Sequence, residues 1–126
     1  MEEEKVKVQN VAYIRVSTLE QNTESQFKIL EQYKIDKYFE EKISGKNTAR
    51  PKLLEMIDYV RNGDTVYVKD FSRLARSTKD LLWIIEKLEE KGVKLISHKE
   101  KLDTSTPSGK LMVTMLGAIY EFERAN

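Results

Sequence analysis

The chain has 126 residues, 40% hydrophobic and 34% charged, with a formal net charge of +1 and no cysteine. One domain with a real core is expected; a disulfide framework and thiolate metal sites are excluded, and the single histidine, His98, all but excludes zinc. No apolar run approaches a membrane span and the start MEEEK is no signal peptide, so a cytoplasmic protein away from membranes is expected, and the near-neutral balance argues against strong nonspecific nucleic-acid binding.

After a charged lead-in of nine residues, NVAYIRVS (10–17) reads as a buried strand. NTESQFKILEQYK (22–34) carries Phe27, Leu30 and Tyr33 at helical spacing, with Asn22 or Thr23 as N-cap. KYFEEKIS (37–44) is a second strand, followed by the polar loop GKNTAR. Pro51 then suits a helix start, and Leu54, Ile57 and Val60 line one face up to NGD. TVYVKDF (65–71) alternates as a third strand. Ser77 or Thr78 caps a long helix that Gly92 closes, VKLISH (93–98) is the fourth strand, and KEKLDTSTPSG reads as a loop. A last helix carries a wide stripe from Leu111 through Met112, Met115, Leu116, Ile119 and Tyr120 to Phe122. Strands alternating with helices predict an α/β fold: a mostly parallel central sheet with helices on both faces. The final helix is still apolar-periodic at GAIYEFERAN, as a longer protein cut within a helix would be. Its stripe is wider than one packing face requires, which implies self-association.

Arginine is the informative base. Six of the 22 basic residues are arginines, at positions 15, 50, 61, 73, 76 and 124. A guanidinium fork grips phosphate or carboxylate through two parallel hydrogen bonds, which lysine does not. Strand parity puts Tyr13, Arg15 and Ser17 on one side, with Ile14 and Val16 on the other. A serine at a strand end is ordinarily a turn former and an arginine ordinarily a solvated base. Together they can also be a nucleophile and the cation that receives an anionic target. Arg73 and Arg76, three apart, are expected on one face of a helical turn. Arg50 lies on a polar loop at the same sheet edge, beyond the carboxyl ends of the strands, where ligands bind in such folds. Phosphoryl-transfer charge spreads over several oxygens, and arginines can stabilise it where no carboxylate cluster is available for magnesium. Gln21 and Gln26 could orient the serine or a phosphate; His98 is given no role, and Met112 and Met115 are expected to pack. GxGxxG, GxxxxGK[ST], GxSxG and HExxH patterns do not occur.

Taken in order, YIRVST, SGKNTARP, FSRLARST and DTSTPSGKLMVTMLGAIYEFER resemble the catalytic domain of serine recombinases, the resolvase and invertase family. The resemblance runs from residue 10 to residue 126 and treats 1–126 as one catalytic domain whose long last helix serves oligomerisation. It implies that Ser17 attacks a DNA phosphodiester, forming a 5′-phosphoserine and releasing a 3′-hydroxyl. Subunits then exchange within a tetramer and the linkage reverses, with no cofactor and no ATP. By position, Arg15, Arg73 and Arg76 match the family's phosphate-binding arginines, and Arg50 the one before the second helix. Gln26 matches a supporting glutamine and Gln21 does so more loosely. Glu123 and Arg124 fall where the long helix approaches DNA and the synaptic interface. DNA and further copies of the chain, as homodimer and homotetramer, are the implied partners. The rival is a catalytically idle assembly or regulatory module of the same fold, against which the serine and four arginines speak.

Two departures stand out. Many members carry aspartate before the paired arginines and glycine between them, where this chain has Ser72 and Ala75. Asp70, two residues earlier and on the same side if the strand continues, is expected to compensate. The family's DNA-binding region beyond the last helix is also missing, so feeble DNA affinity is expected of this chain alone.

Overall fold

The computed structural model describes residues 7–17, 24–43 and 49–125, the side chains of Ser17 and Ile43 excepted. Asn22, Thr23 and most of the loop 44–50 fall outside it. The elements in chain order are β1 (Asn10–Ser17), α1 (Glu24–Leu30), β2 (Lys37–Ile43), α2 (Pro51–Tyr59), β3 (Thr65–Val68), α3 (Thr78–Glu90), β4 (Lys94–Ser97), β5 (Leu102–Asp103) and α4 (Pro107–Ala125). Short 3-10 turns follow α1 (Glu31–Tyr33) and β3 (Phe71–Arg73).

The strand order is β2-β1-β3-β4-β5, with β1 to β4 parallel and β5 antiparallel to β4. This is the expected α/β architecture with helices on both faces. β5 lies inside the expected loop. Two residues are too few to show periodicity, and only the pairing of Ile96 with Asp103 and Ser97 with Leu102 makes them a strand. β3 ends at Val68, three residues earlier than alternation suggested, because the chain turns into the 3-10 segment capped by Asp70.

β1 is central, and its alternation divides the core. Val11 and Tyr13 join Leu53, Met56, Leu81, Ile84 and Leu88 on the face covered by α2 and α3, where Met112, Val113 and Leu116 of α4 also pack. Ala12, Ile14 and Val16 meet Leu30, with Phe27, Tyr33 and Ile35, on the α1 face. His98 binds there too, its Nδ1 2.7 Å from the Tyr33 hydroxyl. In α2 the inward residues are Leu53, Met56 and Val60, whereas Leu54 stays exposed. The cause is a tether: the buried Glu41 carboxylate on β2 accepts from the Lys52 and Leu53 amides and from the Tyr13 hydroxyl. A carboxylate at a helix N-terminus satisfies orphan donors and complements the dipole. It also fixes which turn of α2 faces the sheet.

α4 divides its stripe. Met112, Val113 and Leu116 pack inward, while Leu111, Met115, Ile119 and Phe122 remain exposed. Met115 is therefore not the packing residue that its spacing suggested. No described helix is long and apolar enough to cross a membrane.

Gly109 is needed where α4 crosses β5, because a Cβ there would lie 2.0 Å from the Asp103 carbonyl oxygen, whereas one on Gly117 would meet nothing within 4 Å. Gly109→Ala is expected to cost about 1–3 kcal/mol by overpacking, and Gly117→Ala to add about 0.5–1 kcal/mol through helix propensity, both read by urea denaturation. Burial first, then Glu41, raises the Tyr13 phenol above its ordinary value of 10.0. The unfolded phenol then loses its proton at lower pH than the folded one. Stability is fully present below pH 10 and falls as pH rises above it, by up to about 1.4 kcal/mol per unit. Denaturation midpoints measured on both sides of pH 10 should fall less steeply for Tyr13→Phe than for the parent chain.

Candidate active site at the carboxyl end of the sheet

Ser17 closes β1 opposite Ile43 of β2, so its backbone sits at the carboxyl edge. Its side chain, and all of Gln21, lie outside the described residues. Three chain segments converge beside it: the end of β1, the entry to α2 after β2, and the turn after β3.

Arg15 is half-buried, and its Nη2 donates to the Ser72 carbonyl at 2.5 Å. Burial depresses its pKa, and the positive charges of Arg50 and Arg73 push the same way, while Tyr13 and Asp80 favour the cation. That pattern places Arg15, Arg50 and Arg73 in one electrostatic neighbourhood. Arg50 is buried rather than an exposed loop base. Its Nη1 donates to the Leu74 carbonyl at 2.5 Å and its Nη2 to Asp80 Oδ2. Arg76 is exposed; its backbone amide donates to Asp80 Oδ2 at 2.9 Å and its Nε lies 4.0 Å from the same oxygen.

Arg73 and Arg76 do not share a helical turn. Arg73 ends the 3-10 turn and is half-buried, whereas Arg76 precedes Ser77, the N-cap of α3. A chain that must leave one element and start another between them cannot keep the i,i+3 register. Asp70 and Ser72 do meet, although no strand aligns them. Buried Asp70 caps the turn, its Oδ1 accepting from Ser72 Oγ at 2.5 Å and from the Arg73 amide at 3.0 Å. The same turn is held from the other side by Glu100, whose Oε1 accepts from the Phe71 amide at 3.3 Å and from Ser97 Oγ.

Gln26 lies beneath the strand. It is buried, and its Nε2 donates to the Arg15 carbonyl at 3.2 Å, reaching the main chain rather than the guanidinium. Its Oε1 is buried with no hydrogen-bond partner among the described residues. Glu123 and Arg124 stand exposed near the end of α4, where Arg124 pairs with Glu121 at 2.6 Å; this local bond does not connect them to the arginine cluster. Among the described residues, no three His, Cys, Asp or Glu side chains converge as they would around a metal ion.

Sequence reasoning missed Asp80, Glu41 and Glu100. Asp80 looked like an ordinary first-turn helix acid, and its spacing from Arg76 was the available signal. Glu41 shares strand parity with buried Phe39, and an acid at an inward position was its signal. Glu100 has a local partner in Ser97, three residues earlier, but its contact with the Phe71 amide crosses 29 residues and had no signal in the sequence.

An α/β domain with arginines gathered where parallel strands end is built to receive an anionic group. A family model described as Resolvase, N terminal domain matches residues 10–126, and the chain belongs to that family. It is 43% identical over 118 residues to the transposon Tn501 resolvase of Pseudomonas aeruginosa, covering 91% of this chain and 62% of that protein. It is 40% identical over 114 residues to the DNA-invertase of Enterobacteria phage P7, covering 90% and 61%. The chain thus spans about 62% of the length of such relatives. Among solved structures, the N-terminal catalytic domain of TP901-1 integrase superposes with a TM-score of 0.77 at 30% identity, over 92% of this chain and 96% of that one. A resolvase family site-specific recombinase from Streptococcus pneumoniae gives 0.76 at 28%, over 95% and 90%.

The turn carrying Ser72 and Arg73 depends on its cap. Asp70→Ala should destabilise the domain by about 0.5–2 kcal/mol in urea denaturation and Asp70→Asn by less, since asparagine also caps.

Proposed function

We propose that the chain is the catalytic part of a serine site-specific recombinase. The observation that carries this reading is geometric: Arg15 and Arg50 donate to the carbonyls of Ser72 and Leu74, on either side of Arg73, at the sheet end where the Ser17 backbone closes β1. Ser17 Oγ attacks a DNA phosphodiester: the new Oγ–phosphorus bond replaces the bond to the 3′-oxygen, which leaves as a hydroxyl, and a 5′-phosphoserine remains. The phosphoester keeps the bond energy, so the reverse attack rejoins strands without a cofactor. Arg15, Arg50, Arg73 and Arg76 supply donors to the nonbridging oxygens as charge builds on them. Gln26 supports the strand carrying Arg15, and Asp70, through Ser72 and the Arg73 amide, takes the place of the family's aspartate. Gln21 is assigned a supporting contact to the phosphate.

The partners follow from the same reading. DNA is the substrate, held chiefly by a region beyond this chain, as the 62% coverage of the Tn501 resolvase supports. Glu123 and Arg124 are assigned to the DNA backbone and the synaptic interface. The exposed Leu111, Met115 and Ile119 on α4 support association of copies into dimers and tetramers. The related proteins belong to bacteria, phages and transposons, which supports action in the cytoplasm.

The test joins the chain to a DNA-binding domain and incubates it with supercoiled DNA carrying two sites, with a detergent quench. Protein attached to 5′ ends is expected from the parent and none from Ser17→Ala. An adduct persisting in Ser17→Ala would reassign the nucleophile, and none from a parent that pairs sites would favour the idle module.

A further inference from the structure

Within that proposed function, the partly buried carboxylate among the arginines, Asp80, has no assignment. Four guanidinium groups crowd one end of the sheet, and like charges brought together while losing water repel and are costly to bury. Arg50 bears most of this, with a side chain only 5% exposed. Asp80 is the carboxylate that answers it. One oxygen, Oδ2, accepts from the Arg50 Nη2 and from the Arg76 backbone amide at 2.9 Å, and lies 4.0 Å from the Arg76 Nε. The carboxylate is itself set in place, because the Asp80 amide donates to Ser77 Oγ at 3.1 Å in the N-cap of α3.

We propose that Asp80 is a positioning residue for the phosphate site, a fixed counter-charge that orients the Arg50 guanidinium and the backbone of Arg76 before DNA arrives. A guanidinium has five N–H donors in a rigid plane. The Leu74 carbonyl and Asp80 take one each, on Nη1 and Nη2. With those two directions fixed the plane cannot rotate, and three donors stay in a set orientation for the phosphate oxygens. Asp80 sets one negative charge against the two guanidinium groups it faces, those of Arg50 and Arg76, so orientation is achieved without cancelling the field that attracts the anion. Asp80 does this without touching DNA. It acts through Arg50 and Arg76, and its removal should slow the chemical step rather than weaken DNA binding.

The test uses the same two-site covalent assay with Asp80→Asn and Asp80→Glu, following rate constant, final yield and DNA dependence separately. A structural defect lowers the yield, because fewer molecules are active, and leaves the rate constant of the remainder unchanged. A positioning defect lowers the rate constant. Misplacement by about 1 Å can cost about 100-fold. Asp80→Asn should therefore form adduct about 100-fold more slowly at saturating DNA with an unchanged half-saturating concentration. Asp80→Glu keeps the charge but carries it one methylene out of place, and should also be slowed by up to about 100-fold, which decides the matter if the asparagine variant does not fold. A parent rate constant in any variant that folds overturns the proposal. Restricted rotation of the Arg50 guanidinium, read from its Nη signals by NMR in the 126-residue chain, should disappear in whichever variant folds. If the parent forms no adduct, the recombinase reading fails, and the NMR result alone decides whether Asp80 holds Arg50.

Discussion

Crowding several guanidinium groups at one end of a parallel sheet is the constraint around which this molecule is arranged. The arginines arrive from three segments: Arg15 from the middle strand, Arg50 from the entry to α2, Arg73 and Arg76 from the turn between β3 and α3. The main chain absorbs part of the difficulty. The Ser72 carbonyl receives Arg15 and the Leu74 carbonyl receives Arg50, so two turn carbonyls point at cations instead of at water. Asp80 supplies a formal negative charge that accepts directly from Arg50. Without these acceptors the buried cation would face a desolvation cost of several kcal/mol, about the size of a small domain's whole stability.

The second constraint is the placement of α2. Glu41 is 2% exposed and accepts from two amides of the α2 first turn and from Tyr13. A carboxylate in that position is stabilised by orphan helix donors and a phenol. It ties β2, β1 and α2 together two and three residues beyond Arg50, so the segment that delivers Arg50 is held both by Glu41 and by Asp80. The turn bearing Arg73 is fixed in a comparable way, between Asp70 and Glu100. The positive site thus rests on a set of acids, Glu41 and Asp70 buried, Asp80 partly buried and Glu100 exposed, each reached from a different segment.

Much of this was legible from residue order alone. Alternation in NVAYIRVS marked a strand whose bounds hold to the residue, Ser77 was a recognisable N-cap, and Gly92 ended α3 with a positive φ of 76°. These are local features, set by side-chain period, capping chemistry and backbone sterics within a few residues. The errors arose where distant groups decide. Leu54 was expected on the packing face with Ile57 and Val60, but Glu41 holds the first turn of α2 so that Leu53 is buried and Leu54 exposed. The pair Arg73 and Arg76 has helical spacing, but Asp70 and Ser77 cap two separate elements around it. β5 exists only because β4 lies beside it.

The sequence by itself determined the layered α/β plan, the arginines and serine available at the strand ends, and the family to which the chain belongs, because periodicity and motif order are properties of the chain. Only the tertiary structure decided which arginines are buried, which acids hold them and which face of α4 is left uncovered. Those outcomes depend on charges and apolar surfaces far apart in sequence, such as Arg50 and Asp80, whose interaction becomes strong only when folding removes the water between them.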